Sequence, residues 1–422
     1  MRWPSWSIVC LALMAMEAAL VARYATLDLG SDDVVWLSGG SPTVFDQYRA
    51  LPRLFFQALH ALVGPSAIAA LAMSFFFHCV NGLLVNRVAH LLTRNLMASR
   101  VAAGIFLVNP LTLFALTWIS CFSYVLGATL GLLSVWAFLT SLSSQRGSLW
   151  LSLSIATYAG ALACCHDLLF LPVALLALAW IPGTRHHWGR LSIFLCMSAL
   201  AGAAVYQFHF RFEGYGLQPG KLLHWHFASA LVSSLLSYDL ALLLAYPLSF
   251  AMPASGFLRV CFEEPGRWVL TVLVTALLIA ACRSQRDLRR VAAGCLALAA
   301  LTAPYVIRLY LMPDTASYHI SYVLSGRVFY IPFLGLSVVL GALAAARWRA
   351  LVWLAPVAFV AALFAYQRAE FLGLQVVAGR PAPEPTWTPY HGPATAWPLV
   401  WASFAAYFLL RRLKPVTAKE AA

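Results

Sequence analysis

Long apolar segments recur along almost the whole chain, and they limit its possible folds more than any other feature. Segments of roughly 18 or more apolar residues are each long enough to cross a bilayer. The composition agrees, since 62% of the residues are hydrophobic and 10% are charged, against about 45–50% and about 25% in soluble domains. The sequence therefore predicts an all-α integral membrane protein, because a lipid-exposed span must satisfy its own backbone hydrogen bonds.

The basic residues predict the orientation of the chain, because cytoplasmic loops carry an excess of Lys and Arg. The first apolar run, Ile8 to Leu20, lacks a small-x-small cleavage signature, so we interpret it as a retained span. Placing the arginine-rich loop at 283–290 in the cytoplasm requires 227–250 to be an interfacial or re-entrant helix pair on the outer side. The prediction is then about twelve spans, with both termini cytoplasmic.

We interpret residues 1–422 as one transmembrane domain with three external segments. These are a first loop at 25–60, a loop with interfacial helices at 211–265, and a Pro-rich loop at 367–395. The nine cysteines show neither a disulfide framework nor zinc spacing. The net charge of +13 lies in short loops between spans, so membrane orientation explains it better than binding of nucleic acid.

The pair Asp32-Asp33 in "GSDDVVW" is the first candidate site, because only 15 of the 422 residues are acidic. A carboxylate at the membrane surface could act as a general base towards a hydroxyl acceptor. The alternative is a helix N-cap, since Ser31 and both aspartates precede an apolar run and favour the positive end of a helix.

A second candidate is His166-Asp167, which interrupts the nearly apolar stretch "ALACCHDLLFLPVALL". Ionisable residues at such depth are costly and usually functional. The alternative is a short outer turn between two spans, where polar residues are expected.

A third candidate is "SGRVFYIPFLG", in which Arg327 stands at the outer mouth of a span, against the positive-inside trend. The guanidinium group suits phosphate, and Tyr330 would lie on nearly the same helical face. The alternative is an arginine that reaches lipid headgroups on its apolar stem.

Two weaker signals lie in the second and third spans. His78 and Asn81 favour hydrogen bonds between helices over ligand binding. Trp118 ends the third span at the outer interface, where aromatic residues are common.

Taken in order, these motifs resemble the GT-C superfamily of polytopic glycosyltransferases, specifically the transmembrane-and-tetratricopeptide O-mannosyltransferases and their bacterial relatives. The matching features are the acidic pair Asp32-Asp33, the His-x-x-Asn of His78 and Asn81, Asn109-Pro110 with Trp118, His166-Asp167 before Leu171-Pro172, and Arg327 to Pro332. The family's acidic residue and arginine of the third span fall near Phe114 and Phe122, and its Lys-Glu is His-Asp here. No tetratricopeptide array follows the last spans, so a protein acceptor held by such repeats is not expected.

The resemblance implies a GT-C-like bundle of transmembrane helices with interfacial helices on the outer face, in a bacterial inner membrane. It implies a hexosyl or pentosyl transferase that moves a sugar from a polyprenyl-phosphate donor to an extracytoplasmic glycan, lipid or protein. Asp32 or Asp33 would be the base, with Asp32 preferred, and His166 with Asp167 would orient the donor or a phosphate-bound cation. Arg327 and Tyr330 would hold the lipid phosphate, and Trp118 would contact the substrate. A divalent cation, Mg²⁺ or Mn²⁺, is left open, because metal dependence varies across the superfamily.

Two other functions stay open from the sequence. A polysaccharide polymerase or ligase of the cell envelope usually has a large external loop rich in Arg and His, and 367–395 is short for that. A transporter or flippase should show inverted repeats and polar residues at the middle of several spans, whereas the charges here gather at the predicted outer rim.

Overall fold

The computed structural model describes residues 49–107, 118–180, 188–212, 266–282 and 285–311, with short pieces at 14–15, 18, 36–37, 115–116, 227–229, 231–236, 239, 330–332, 335–337, 339 and 341. All regular secondary structure in this part of the chain is helical, which confirms the predicted class. The α-helices are α1 (Ala50–Val63), α2 (Ala67–Thr93), α3 (Leu96–Leu107), α4 (Phe122–Ser141), α5 (Gly147–Cys164), α6 (Leu171–Trp180), α7 (Trp188–Phe212), α8 (Gly266–Ala281) and α9 (Gln285–Leu311). Two 3₁₀ helices, η1 (Ile119–Cys121) and η2 (His166–Phe170), precede α4 and α6.

Four helical segments in the described residues are long and apolar enough to cross a membrane. They are Ala67–Thr93, Ile119–Ser141, Gly147–Cys164 and Leu288–Ile307. At about 1.5 Å per residue, each is at least roughly 27 Å long, close to the hydrocarbon thickness of about 30 Å. Shorter apolar helices, such as Leu96–Leu107 and Phe227–Leu236, accompany them. The described part of the chain is therefore all-helical, with four candidate membrane-spanning helices, as expected of a membrane protein.

Helix α4 lies at the centre of the described bundle. In the most apolar 18-residue stretch of the segment that contains α4, 83% of the residues are buried. The corresponding share for the neighbouring α5 is 22%, so most of the α5 surface is available to lipid. The two helices approach closely at a pair of small polar residues. Ser134 Oγ donates to the Ser154 carbonyl at 2.9 Å, and Ser154 Oγ donates to the Ser134 carbonyl at 2.7 Å. Small residues that hydrogen-bond across helices are typical of membrane packing, where lipid removes the hydrophobic driving force.

The bundle has two chemically different ends. At the first, called the basic end, Arg290 Nη2 donates to the Thr93 carbonyl at 2.8 Å and Arg190 Nη1 to the Ser141 carbonyl at 3.0 Å. Arginines at these positions satisfy free carbonyls at the C-termini of α2 and α4 and oppose the helix dipole. The opposite end, called the polar end, carries η1 and η2. Tyr124, near the polar end of α4, lies roughly 25 Å from Ser141 along the helix.

Helix α1 occupies the second half of the predicted external loop at 25–60 and continues to Val63. Gly64 adopts a positive φ of 73° after it, and Ser66 caps α2 by accepting the Ala69 N–H at 3.3 Å. The inner face of α1 packs through Phe56, whose ring centroid lies 5.4 Å from that of Phe122 in α4. This packing holds the first residues of α1 against the polar end.

We expect the two ends to face opposite sides of the membrane, with the basic end in the cytoplasm. Cysteine substituted at Gln145, exposed between α4 and α5, should react with an impermeant maleimide only in opened vesicles. Cysteine substituted at Pro65, exposed between α1 and α2, should react in intact right-side-out vesicles. The wild-type chain measures the background from native cysteines. Labelling of both positions from one side would contradict this orientation.

Candidate active site

A buried polar cluster lies at the polar end, where η2 meets the first turn of α4 and the last part of α9. We call it the Asp167 cluster, and its described members are Arg49, Tyr124, Cys165, His166, Asp167 and Tyr305. The predicted pair His166-Asp167 stands at its centre. Asp167 is 1% exposed, and the functional role expected for the pair stays a prediction.

The Asp167 carboxylate has few donors for its degree of burial. Cys165 Sγ donates to Oδ2 at 3.3 Å, and His166 Nε2 lies 3.5 Å from Oδ1. Burial raises the pKa of the Cys165 thiol well above its usual value, and the nearby carboxylate adds to the rise, so this thiol stays protonated and donates. A carboxylate offers about four lone-pair sites. Among the described residues, Asp167 therefore keeps acceptor capacity for a further donor or cation.

Arg49 brings a positive charge to the cluster from the residue that precedes α1. Its Nη1 donates to the Ser120 carbonyl at 3.3 Å, and its guanidinium carbon lies 5.9 Å from the centroid of the Tyr124 ring. This charge is close enough to Cys165 to oppose the rise in its pKa. Within the described residues, this one carbonyl bond leaves most of the five N–H donors of the Arg49 guanidinium available.

Helix α9 contributes Tyr305 to the cluster. Pro304, inside the same helix, directly precedes this tyrosine. The side chain is 3% exposed, and no described atom is hydrogen-bonded to its hydroxyl. The polar group that it faces is Asp167, at a geometry short of a hydrogen bond. With Asp167 as the polar group that it faces, the Tyr305 hydroxyl is a candidate donor to that carboxylate or to a bound ligand.

Close helix packing positions the cluster. A Cβ atom added at Gly127 would lie 3.0 Å from Cβ of Cys165, so only glycine lets α4 approach the start of η2 this closely. One turn before Gly127, Tyr124 is thereby held within electrostatic range of Asp167.

An apolar cavity of about 40 Å³ lies directly beneath the cluster. Its walls include Ala128, Leu168 and Leu301, each about one turn from a cluster residue on α4, η2 or α9. None of the described residues that line it is charged. The Asp167 cluster therefore adjoins an apolar gap between helices, which extends towards the basic end as far as Val88 and Val135.

A second buried network, formed by His78, Asn81 and Tyr330, links α2 to other elements. His78 Nε2 lies 3.3 Å from the Leu107 carbonyl, so this nitrogen donates, and Nδ1 accepts from Tyr330 Oη at 2.9 Å. Asn81 Nδ2 donates to Tyr330 Oη and to the Val125 carbonyl, each at 3.0 Å. The expected interhelical hydrogen bonds of His78 and Asn81 are confirmed. Tyr330 is fully buried here, and its role in substrate binding stays a prediction.

The remaining predicted site residues divide into two groups. Trp118 directly precedes η1, and its carbonyl accepts the Cys121 N–H at 2.9 Å. It therefore lies shortly before the cluster residue Tyr124 in the sequence. Asp32, Asp33 and Arg327 lie outside the described residues. Within the described residues, no group of three or more His, Cys, Asp or Glu side chains could hold a metal ion.

Sequence reasoning missed Arg49, Tyr124 and Tyr305. Arg49 carried a usable signal, since it precedes a helix on the predicted outer side, against the positive-inside trend that singled out Arg327. The tyrosines carried none, because aromatic residues are ordinary in apolar spans.

Comparison with family models finds no match for this chain, and neither curated proteins nor solved structures match it.

Proposed function

We propose that this chain is a membrane glycosyltransferase of the GT-C type, built as a bundle of about twelve spans with cytoplasmic termini. It would transfer a hexose or pentose from a polyprenyl-phosphate donor to an acceptor on the outer side. The observation that carries the proposal is the Asp167 cluster: a buried carboxylate with an arginine, a histidine and a tyrosine hydroxyl that faces it, opposite the basic end.

The chemistry of the cluster suits a phosphate joined to an apolar chain. Arg49 supplies a guanidinium fork for phosphate oxygens, and His166 supplies a second donor. The cavity beneath provides apolar walls, although at about 40 Å³ the helices must separate for a prenyl chain to enter. The Asp167 cluster stands at one end of the bundle rather than at mid-membrane, which supports a transferase over a transporter.

The proposed roles combine the cluster with the residues singled out by the family resemblance. Asp167, oriented by His166, would position the donor, directly or through Mg²⁺ or Mn²⁺, since Mg²⁺ is commonly held by one or two carboxylates plus substrate phosphates. Arg49 joins Arg327 in stabilising charge on the leaving phosphate. Asp32 or Asp33 would take the proton from the acceptor hydroxyl.

We expect Arg49→Gln to weaken donor binding by about 10- to 150-fold, the value of one charge-assisted hydrogen bond. The measurement is the donor-concentration dependence of sugar release by the purified chain. Arg53→Gln is the matched control, because Arg53 lies one turn later on α1 and, in the described structure, contacts the cluster only through its backbone N–H, which donates to the Arg49 carbonyl at 3.0 Å, while its Nε has no described hydrogen-bond partner. Equal effects of the two substitutions would remove Arg49 from the site.

A further inference from the structure

An open groove of about 570 Å³ runs along α2 towards the basic end, far from the Asp167 cluster. We call it the α2 groove. Its walls are apolar and aromatic, formed by Val80, Leu83, Leu91 and Trp136. Two basic side chains, Arg87 and His90, line the same groove. The groove therefore combines an apolar surface with positive charge.

The direction of the groove matches that of a lipid in the leaflet at the basic end. Val80 lies near the middle of α2 and Arg87 lies about 10 Å further along the helix axis, towards Thr93. A hydrocarbon chain beside Val80 and Leu83 would thus place its headgroup next to Arg87. Since α2 is one of the four described helices able to cross a membrane, this surface lies at a depth that a lipid chain reaches.

Both basic groups lack partners within the described part of the chain. Arg87 is exposed and makes no hydrogen bond or ion pair there, whereas Arg190 and Arg290 at the same end bind helix carbonyls. His90 Nδ1 is buried, and no described atom is hydrogen-bonded to it. Neither side chain is used for helix capping, so the exposed Arg87 guanidinium and the part of the His90 ring that lines the groove are available to the oxygens of an anion.

We infer that the α2 groove binds an anionic phospholipid, with its phosphate between Arg87 and His90 and one acyl chain along Val80 and Leu83. The net charge of the headgroup determines which class of phospholipid the α2 groove prefers. A phosphatidylglycerol headgroup carries a phosphate and no positive charge, so it can accept hydrogen bonds from both basic side chains. A phosphatidylcholine headgroup would also bring its positively charged choline close to Arg87, and the two like charges would repel. The inference does not depend on the proposed transferase activity.

The test measures lipid binding to the purified full chain in neutral detergent, by native mass spectrometry and by thermal shift. We expect short-chain phosphatidylglycerol to bind at least about tenfold more tightly than phosphatidylcholine of equal chain length. Arg87→Gln and His90→Gln should each remove most of this difference. Arg100→Gln is the matched control, because Arg100 is an exposed arginine of α3 near the same end and does not line the groove.

Three results would overturn the inference. The first is equal binding of the two phospholipids by the wild-type chain, which does not depend on how any variant folds. The second is an equal effect of Arg87→Gln and Arg100→Gln. The third is a stabilisation by inorganic phosphate or a short-chain prenyl phosphate that equals or exceeds that by phosphatidylglycerol, because an ion alone or a different lipid would then be the occupant.

Discussion

Replacing Asp32 or Asp33 by asparagine should lower the rate of sugar transfer by about 10²–10⁴-fold, the usual cost of losing a general base. Asparagine keeps the size of the side chain and its ability to accept hydrogen bonds, but it cannot take a proton from the acceptor hydroxyl. Donor binding should change little, since the base acts on the acceptor. The measurement is the initial rate of transfer at saturating donor, together with the melting temperature of each variant.

The competing interpretation of this pair is a helix N-cap. Asparagine caps a helix about as well as aspartate, so a capping role predicts little change in either activity or stability. Asp28→Asn is the matched control, since Asp28 is an acidic residue of the same predicted external loop outside the pair. Near-normal transfer rates in both single variants would leave capping as the role of the pair.

Replacing Asp167 by asparagine should lower the rate of sugar release from the donor by about 10²–10³-fold, the effect of removing one preorganised electrostatic group. The Cys165 thiol can still donate to the amide oxygen, so the substitution removes the charge and largely preserves the shape of the cluster. The chain should therefore fold, and the loss should appear in the rate of donor cleavage.

Asp239→Asn provides the control for a half-buried carboxylate outside the cluster. Asp239 Oδ1 accepts a hydrogen bond from Thr302 Oγ1 at 3.1 Å, a bond that an asparagine oxygen can keep. We expect this variant to retain donor cleavage. If Asp167→Asn also retains full activity and changes only the melting temperature, His166-Asp167 is a structural turn, as its alternative interpretation states.

The main features of the fold could be predicted because they follow from local composition. Runs of apolar residues predict spans wherever they occur, and the positive-inside trend predicted that the arginines of 283–290, Arg290 among them, share one side of the membrane. His78 and Asn81 were correctly interpreted as interhelical hydrogen-bonding groups, because polar side chains inside an apolar helix need such partners.

The composition of the candidate site could not be predicted in the same way, because it depends on contacts between distant parts of the chain. Arg49 reaches Ser120, and Tyr305 faces Asp167, only once α1, α4 and α9 have packed. Helix α1 itself was placed within a loop, since the apolar segment 50–63 is too short to be recognised as a span.

The most direct test of the proposed function is turnover of a panel of polyprenyl-phosphate sugars by the purified full chain. Each donor would be incubated alone to measure hydrolysis, and with glycan, lipid and peptide acceptors to measure transfer, with and without Mg²⁺ or Mn²⁺. We expect the wild-type chain to release or transfer the sugar of at least one donor, and Asp167→Asn to do so about 10²–10³-fold more slowly. A folded wild-type chain that turns over none of these donors, or an Asp167→Asn variant equal to it, would contradict the proposal.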